Sequence, residues 1–306
     1  MRHQWISSTI GVVLALAGAS SAQSPRDSDC YQCQFFHEAR IVGPTDDRKV
    51  MTPEIEERFT GLGFFALPNI PSAPQASGFL VESNDLVLTN AHVFTTMGKW
   101  NGFVSKNGKD LRLNQLGFFI KKCNKLYSIA SVNVQTFRPE AESGKDIALV
   151  KLKDPVCSAA RPLRLRVAST ILIENMLNKP RTMSIAGIYD LNDLPDTASD
   201  SSILSQTPQQ KSRSPKPVPV YMDCNLTSIR WADGAIVFEH NCDTTEGGSG
   251  GPAVVALASG TYAFGVHKGF VPGSDDNLGI FISQSMLEWI QGTAKAGTLR
   301  SSSIVE

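Results

Sequence analysis

Three things are scarce in this chain, and each scarcity removes a class of function. Net charge is absent: 29 lysines and arginines balance 29 aspartates and glutamates, so no global field draws the protein to nucleic acid or an anionic membrane. Beyond the N-terminus no apolar run is long enough to span a bilayer. Histidine is scarce, with five in 306 residues, and none is spaced with the cysteines as a zinc ribbon requires. No metal and no cofactor are expected.

What is present, first, is an export signal. "MRHQWISSTIGVVLALAGASSA" carries Arg2 and His3, an apolar core around Thr9 to Gly18, and Ser20-Ser21-Ala22. This pattern predicts a secretory signal over 1–22, cleaved after Ala22. The apolar core is short for an anchor helix, and no cysteine for lipid attachment lies at the cut. The expected product is secreted or periplasmic, with no membrane attachment after signal removal.

Export makes the six cysteines legible, because an oxidising compartment favours disulfides. Six cysteines allow fifteen pairings, and sequence alone does not choose among them. Proximity favours Cys30–Cys33 and Cys224–Cys242, which leaves Cys123–Cys157. Cys30-x-x-Cys33 has no βαβ pattern around it, so it reads as a loop staple rather than a redox motif.

The composition, 42% hydrophobic and 19% charged, is that of an ordinary globular protein, and the length suits one large β domain or two lobes. Residues 23–40 read as a pro-segment or linker and 298–306 as a tail. From Phe59 onward come short apolar runs broken by Gly, Asn, Asp and Pro: "GLGFFAL", "SGFLV", "DLVLTNAHV", "LGFFI", "SIASVNVQTF", "DIALVKL", "RTMSIAGIY", "GAIVFEH", "GPAVVAL" and "YAFGVHKGF". Many such runs indicate an all-β barrel or sandwich. Only "SQSMLEWIQGTAKAG" (283–297) has helical spacing, with Met286, Leu287, Trp289 and Ile290 on one face. The Ser-, Pro- and Gln-rich stretch 194–219 reads as a long surface insertion.

The chemistry is concentrated in "CDTTEGGSGGPAV", residues 242–254, where Ser249 is flanked by Gly247, Gly248, Gly250 and Gly251. Glycine is costly and is used where backbone must bend unusually or approach something closely. A serine hydroxyl becomes a nucleophile only when a base takes its proton, and that base needs a carboxylate to orient it. Among the histidines, His3 leaves with the signal, His37 lies in the pro-segment, and His240 sits in a strand two residues from Cys242. That leaves His92, at the end of a strand-like run, and His267. Asp146, at the head of "DIALVKL", is the carboxylate candidate.

"TNAHV", "DIALVKL" and "GGSGGP" resemble the three catalytic motifs of the chymotrypsin-like serine proteases. "IVGPTDDRKV" (41–50) further resembles the start of the mature chain in the V8-like glutamyl endopeptidase branch. The resemblance spans roughly Ile41 to Ile290 and implies two six-stranded antiparallel β-barrels, about 41–160 and 161–297, with a C-terminal helix and the site in the cleft between them. It implies Ser249 as nucleophile, His92 as general base then acid, Asp146 as orienter, and the N–H groups of Gly247 and Ser249 as oxyanion hole. The partner is then a protein or peptide substrate. Chymotrypsin-type zymogens carry an aspartate just before the nucleophile, and V8-like relatives usually asparagine; this chain has Gly248. The stretch "RIVG" at 40–43 looks like a zymogen cleavage site, but activation through an amine–aspartate pair is not expected without that acceptor.

For specificity the resemblance points two ways. Asp243 lies six residues before Ser249, where trypsin-like relatives hold the acid that selects lysine and arginine. His267 in "FGVHKG" and Thr244 match the V8-like residues that bind a substrate glutamate. A buried acidic side chain needs a hydrogen-bonding or cationic partner, so cleavage after glutamate, with aspartate as second choice, is the expected specificity. The alternatives are an Arg/Lys-specific enzyme, an HtrA-like quality-control protease, and a catalytically silent binding module built on the same fold.

Overall fold

The computed structural model describes residues 41–94, 116–134, 146–194, 214–232, 235–245, 247–270 and 276–296. All lie in the unit Gln32–Glu306. The expected signal, the pro-segment with Cys30 and Cys33, and the tail lie outside the described residues.

In the first lobe, β2 (Leu62–Ala66), β3 (Ala76–Leu80), β4 (Leu86–Thr89), β5 (Gly117–Ile120), β6 (Lys125–Val134) and β7 (Ala148–Leu152) close an antiparallel barrel in the order β2-β3-β4-β7-β6-β5. Successive side chains of a strand point to opposite faces. Phe65, Leu80, Val87 and Phe118 therefore fill the barrel, while their neighbours Phe64, Phe79, Leu86 and Leu88 join a second core with Val254, Val266 and Ile280 of the other lobe. Burial on both faces explains why "LGFFA", "ASGFL" and "LVLT" show no polar alternation.

The second lobe is one nine-stranded sheet. It contains β1 (Lys49–Val50), β8 (Arg164–Leu165), β9 (Met183–Asp190), β10 (Pro217–Cys224), β11 (Leu226–Ala232), β12 (Ala235–His240), β13 (Pro252–Leu257), β14 (Gly260–Phe270) and β15 (Asn277–Phe281). The order is β1-β10-β9-β13-β14-β15-β12-β11, with β8 parallel to β14. Ile185, Val220, Phe238, Phe264 and Phe281 form its core. The all-β, two-lobed class is the one expected. The second sheet has nine strands where six are expected; β1 at its edge and the parallel β8 are among the additions, so the N-terminal segment belongs to the second lobe although it precedes the first.

Helices among the described residues include α1 (Pro53–Glu56), α2 (Thr170–Asn178) and α3 (Gln284–Ala296). The expected helix is α3, with Met286 and Ile290 buried. The sequence reading found no other helix, and α2 corrects it. Ser169 caps α2 by accepting from the Leu172 N–H, and Leu172, Ile173 and Met176 face the core. Its "TILI" start is β-branched and reads as strand. The insertion expected over 194–219 ends earlier, since Pro217–Pro219 already belong to β10; residues 195–213 lie outside the described ones.

The two disulfides expected within the described residues are present. Cys123–Cys157 has Cα atoms 5.8 Å apart. Cys224–Cys242 has them 5.1 Å apart and ties the end of β10 to the chain just beyond β12. Among the described residues no helix is long and apolar enough to cross a membrane.

Candidate active site

Strand pairing brings two distant residues together. β4 and β7 are neighbours, with Thr89 opposite Ala148. The chain just past β4 and the chain just before β7 therefore leave the barrel at the same end. There the His92 N–H donates to Asp146 Oδ1 at 2.8 Å, and Nδ1 lies 2.5 Å from Oδ2. Asn90 Nδ2 donates to the Asp146 carbonyl at 3.0 Å, which fixes the backbone as well. Asp146 is 1% exposed. Burial acts to raise its carboxyl pKa, but His92 and the Lys268 ammonium, 4.0 Å away, hold it below the ordinary carboxylate value. Asp146 is thus a carboxylate at neutral pH. It accepts a hydrogen bond from the His92 Nδ1–H and leaves the Nε2 lone pair of His92 as the basic site.

Ser249 sits in the loop leading into β13. Gly247 and Gly250 adopt positive φ of 93° and 86°, a region that favours glycine. A Cβ on Gly250 would also overlap the Ser77 carbonyl and the Thr89 hydroxyl. Backbone bonds tie the loop to β14: Gly250 N to His267 O at 2.9 Å and His267 N to Gly251 O at 2.8 Å. The Ser249 hydroxyl donates to the Lys268 carbonyl at 3.1 Å. Lys268 therefore links the serine to the Asp146–His92 pair, with its carbonyl on one and its ammonium near the other.

Ser77 in β3 is the connection from the first lobe. Its N–H donates to the Ser249 carbonyl at 2.8 Å, and its hydroxyl donates to the Gly247 carbonyl at 2.6 Å. The same hydroxyl accepts from Ile188 N at 2.9 Å, and the Ser77 carbonyl accepts from the Thr89 hydroxyl at 2.8 Å. One fully buried serine thus holds the carbonyls on either side of Gly248.

The residues expected to set specificity separate into two groups. His267 and Thr244 are fully buried beside the Ser249 loop, and His267 Nε2 and Thr244 Oγ1 have no partner among the described residues. His240, set aside in the sequence reading, stands behind His267 with its Nε2 3.1 Å from His267 Nδ1. Burial pushes the His267 pKa down to about 3, with His92 adding to the shift and the Leu278 carbonyl opposing it; burial likewise holds His240 well below its ordinary value. Both rings are neutral near pH 7. The Cys242 N–H donates to His240 Nδ1 at 3.3 Å, so His240 carries its proton on Nε2 and gives it toward His267 Nδ1. His267 Nε2 is the ring nitrogen without a partner among the described residues.

Asp243, the acid that the trypsin-like alternative would place in the specificity pocket, is engaged with backbone. Its two carboxylate oxygens accept from Val42 N at 2.6 Å and Asp47 N at 2.5 Å, so they are turned to the N-terminal segment. Cys224, His240 and Cys242 bring three potential metal-ligating atoms within 4.8 Å, but the two sulfurs are bonded to each other and offer no thiolate.

A glycine-framed serine and an aspartate-oriented histidine on two β lobes define a recognisable arrangement, and the sequence agrees: residues 76–260 match the profile of the trypsin-like peptidase domain. The chain belongs to the trypsin-like peptidase family. Among solved structures, one described as a Glu endopeptidase in complex with MPD matches it with a TM-score of 0.57 and 14% identity, over 83% of this chain and 99% of that one. At that identity the likeness is one of fold. No curated protein matches the chain in sequence.

Several residues of this trypsin-like peptidase carried no sequence signal of their role. Ser77 reads as a small residue in an apolar strand, and Lys268 as a strand charge. Arg48 reads as one charge in a polar stretch, yet it is 2% exposed. His240 had one available clue, its position two residues before the cysteine that precedes the serine loop.

Proposed function

We propose that this trypsin-like peptidase is an exported serine endopeptidase that cleaves after glutamate. The observation that carries the catalytic part is the buried Asp146–His92 pair, 2.5 Å apart, beside a serine whose loop is held on both sides by β3 and β14. Ser249 Oγ attacks the scissile carbonyl as its proton passes to His92 Nε2. Asp146 stabilises the imidazolium, and the N–H groups of Gly247 and Ser249 receive the oxyanion. His92 then gives the proton to the leaving amine, forming the acyl-enzyme. The same base activates the water that releases the product. The two disulfides suit an oxidising compartment, which supports the export reading.

The glutamate preference is supported by the two unpartnered buried polar atoms. In this reading a neutral His267 holds its proton on Nε2; that N–H and the Thr244 hydroxyl are then donors, and a carboxylate supplies acceptors. The Arg/Lys reading loses its acid, because the Asp243 oxygens are occupied by Val42 and Asp47.

A fluorophosphonate should label Ser249 in the parent and not in Ser249→Ala; a folded parent that is not labelled would support the silent binding module instead. Among matched peptides the Glu substrate should be cut best. A hydrogen bond to a charged group is worth about 1.5–3 kcal/mol, so His267→Ala should lower kcat/KM on Glu by about 10- to 100-fold and spare the Phe peptide. Best cleavage after Arg, abolished by Asp243→Ala, would overturn the specificity.

A further inference from the structure

We propose that Arg48 is a positioning residue of the oxyanion loop, acting through Thr245, and that the segment 42–48 does structurally what the missing residue-248 carboxylate would otherwise do. The inference rests on the reading of Ser249 as nucleophile.

Three observations meet behind the loop. Arg48 is buried, and all three nitrogens of its guanidinium are engaged. Nε donates to Asp46 Oδ1 at 2.9 Å, and Nη2 donates to Asp46 Oδ2 and to the Asp193 carbonyl, each at 2.6 Å. Nη1 donates to the Thr245 hydroxyl, three residues before Gly248. The Thr245 carbonyl in turn accepts from Gly248 N at 3.1 Å. Arg48 and the peptide just before the nucleophile are therefore bonded to the same residue, one to the Thr245 hydroxyl and the other to its carbonyl.

Next, Asp243 anchors the same segment from the other side, by accepting from Val42 and Asp47. The 42–48 stretch is thus held at three points against the loop 243–248. Beyond it, β1 fixes the chain to β10.

Last, the space for a side chain at 248 is taken. A Cβ on Gly248 would lie 2.5 Å from the Tyr189 hydroxyl and 3.0 Å from Cζ. Tyr189 is fully buried, its hydroxyl has no partner among the described residues, and Arg48 lies over its ring at 5.4 Å from the centroid. An aspartate or asparagine at 248 does not fit. Arg48 and Tyr189 together occupy the place from which such a residue would brace the loop, and Arg48 supplies the buried cation. The expense of burying a guanidinium is offset only by complete pairing, and here one of its contacts is spent on Thr245.

The experiment compares the full-length protein with Arg48→Met, Arg48→Ala and Thr245→Val, measuring kcat and KM separately, the rate of fluorophosphonate labelling, and hydrogen exchange of the 247–251 amides. Losing an ordered oxyanion donor costs about 100-fold or more in turnover. Arg48→Met should approach that loss in kcat with KM changed less than about 3-fold, and labelling should slow in parallel. Added guanidinium ion should restore part of the turnover of Arg48→Ala. If the Arg48 variants do not fold, Thr245→Val decides: it keeps the buried arginine and its carboxylate and removes only the link. It should lower kcat and speed exchange at 247–251. Folded variants with parental kcat and parental exchange overturn the proposal. A parent that neither hydrolyses peptides nor labels at Ser249 overturns the protease reading instead, and the exchange rates then still decide whether Arg48 orders the loop.

Discussion

Acid should destabilise this protein well above the pH at which carboxylates titrate, and the cause is the buried pair His240 and His267. Both are fully buried, and their facing nitrogens are 3.1 Å apart. In the folded state His267 is pushed down to about 3 from an ordinary value of 6.5. Below 6.5 the unfolded chain takes up a proton at this ring that the folded chain refuses, so stability falls as pH falls, and the slope persists until about 3. Each pH unit is worth about 1.4 kcal/mol, so at pH 5 His267 alone costs about 2 kcal/mol. His240 adds in the same direction. Asp146, whose pKa is lowered, also contributes stability that acid removes, but in the carboxylate range, below about 4. Asp243 is raised by burial, with Asp46 and Asp47 adding to the shift; the folded state binds its proton first, and it opposes the trend. Urea unfolding at pH 7.5, 6.5, 5.5 and 5.0 measures the slope for the parent and for His267→Gln, which cannot titrate. The variant should be less stable at pH 7.5 yet lose less between pH 6.5 and 5. Equal slopes would refute the assignment of buried neutral rings.

Breaking the Cys224–Cys242 bridge by double substitution to serine should cost roughly 3 kcal/mol, the chain-entropy value for so short a closed loop; thermal unfolding measures it, and non-reducing peptide mapping that finds both thiols free would contradict the bond. Ser77→Ala should cost about 1–3 kcal/mol, because the Gly247 carbonyl and the Ile188 N–H each lose a buried partner. Its kcat should fall with it, and a variant with parental stability and turnover would remove Ser77 from the site.

What was legible in the sequence is what depends on near neighbours. The quoted runs became β2 to β7, β9 and β12 to β14 because short apolar-rich stretches bounded by Gly, Asn, Asp and Pro can be recognised without knowing their partners. The pairings of Cys123 with Cys157 and of Cys224 with Cys242 followed from proximity along the chain. The glycine frame of Ser249 was visible because only glycine takes the positive φ of Gly247 and Gly250 without strain. β10 was hidden by Pro217 and Pro219, and β11 by exposed Trp231 and polar neighbours at a sheet edge. The direction of Asp243 was hidden for a different reason. Its partners Val42 and Asp47 are about 200 residues away, and no local pattern tells whether a carboxylate at that position meets substrate or backbone.

The distribution of the site across the lobes explains why so much of it was invisible. The first lobe contributes His92 and Asp146, and the second contributes Ser249, Lys268 and His267. Neither set could do the proposed chemistry alone, since the barrel holds the proposed base and the sheet holds the proposed nucleophile. The relative position of the two therefore rests on contacts that cross between them. Among the described residues these include the polar contacts of Ser77 with Gly247, Ser249 and Ile188, the Leu163 N–H on the Leu80 carbonyl, and Lys268 beside Asp146. To these is added the shared apolar core in which Phe79 and Leu88 of the barrel meet Val254 and Val266 of the sheet. Close-packed interfaces transmit small displacements because they cannot deform continuously. A proton transfer from Ser249 to His92 tolerates little misplacement. The residues of the proposed site are consequently of two kinds: those assigned to the reaction, which carry recognisable motifs, and those that fix one lobe on the other, which are ordinary residue types made consequential by where the fold puts them.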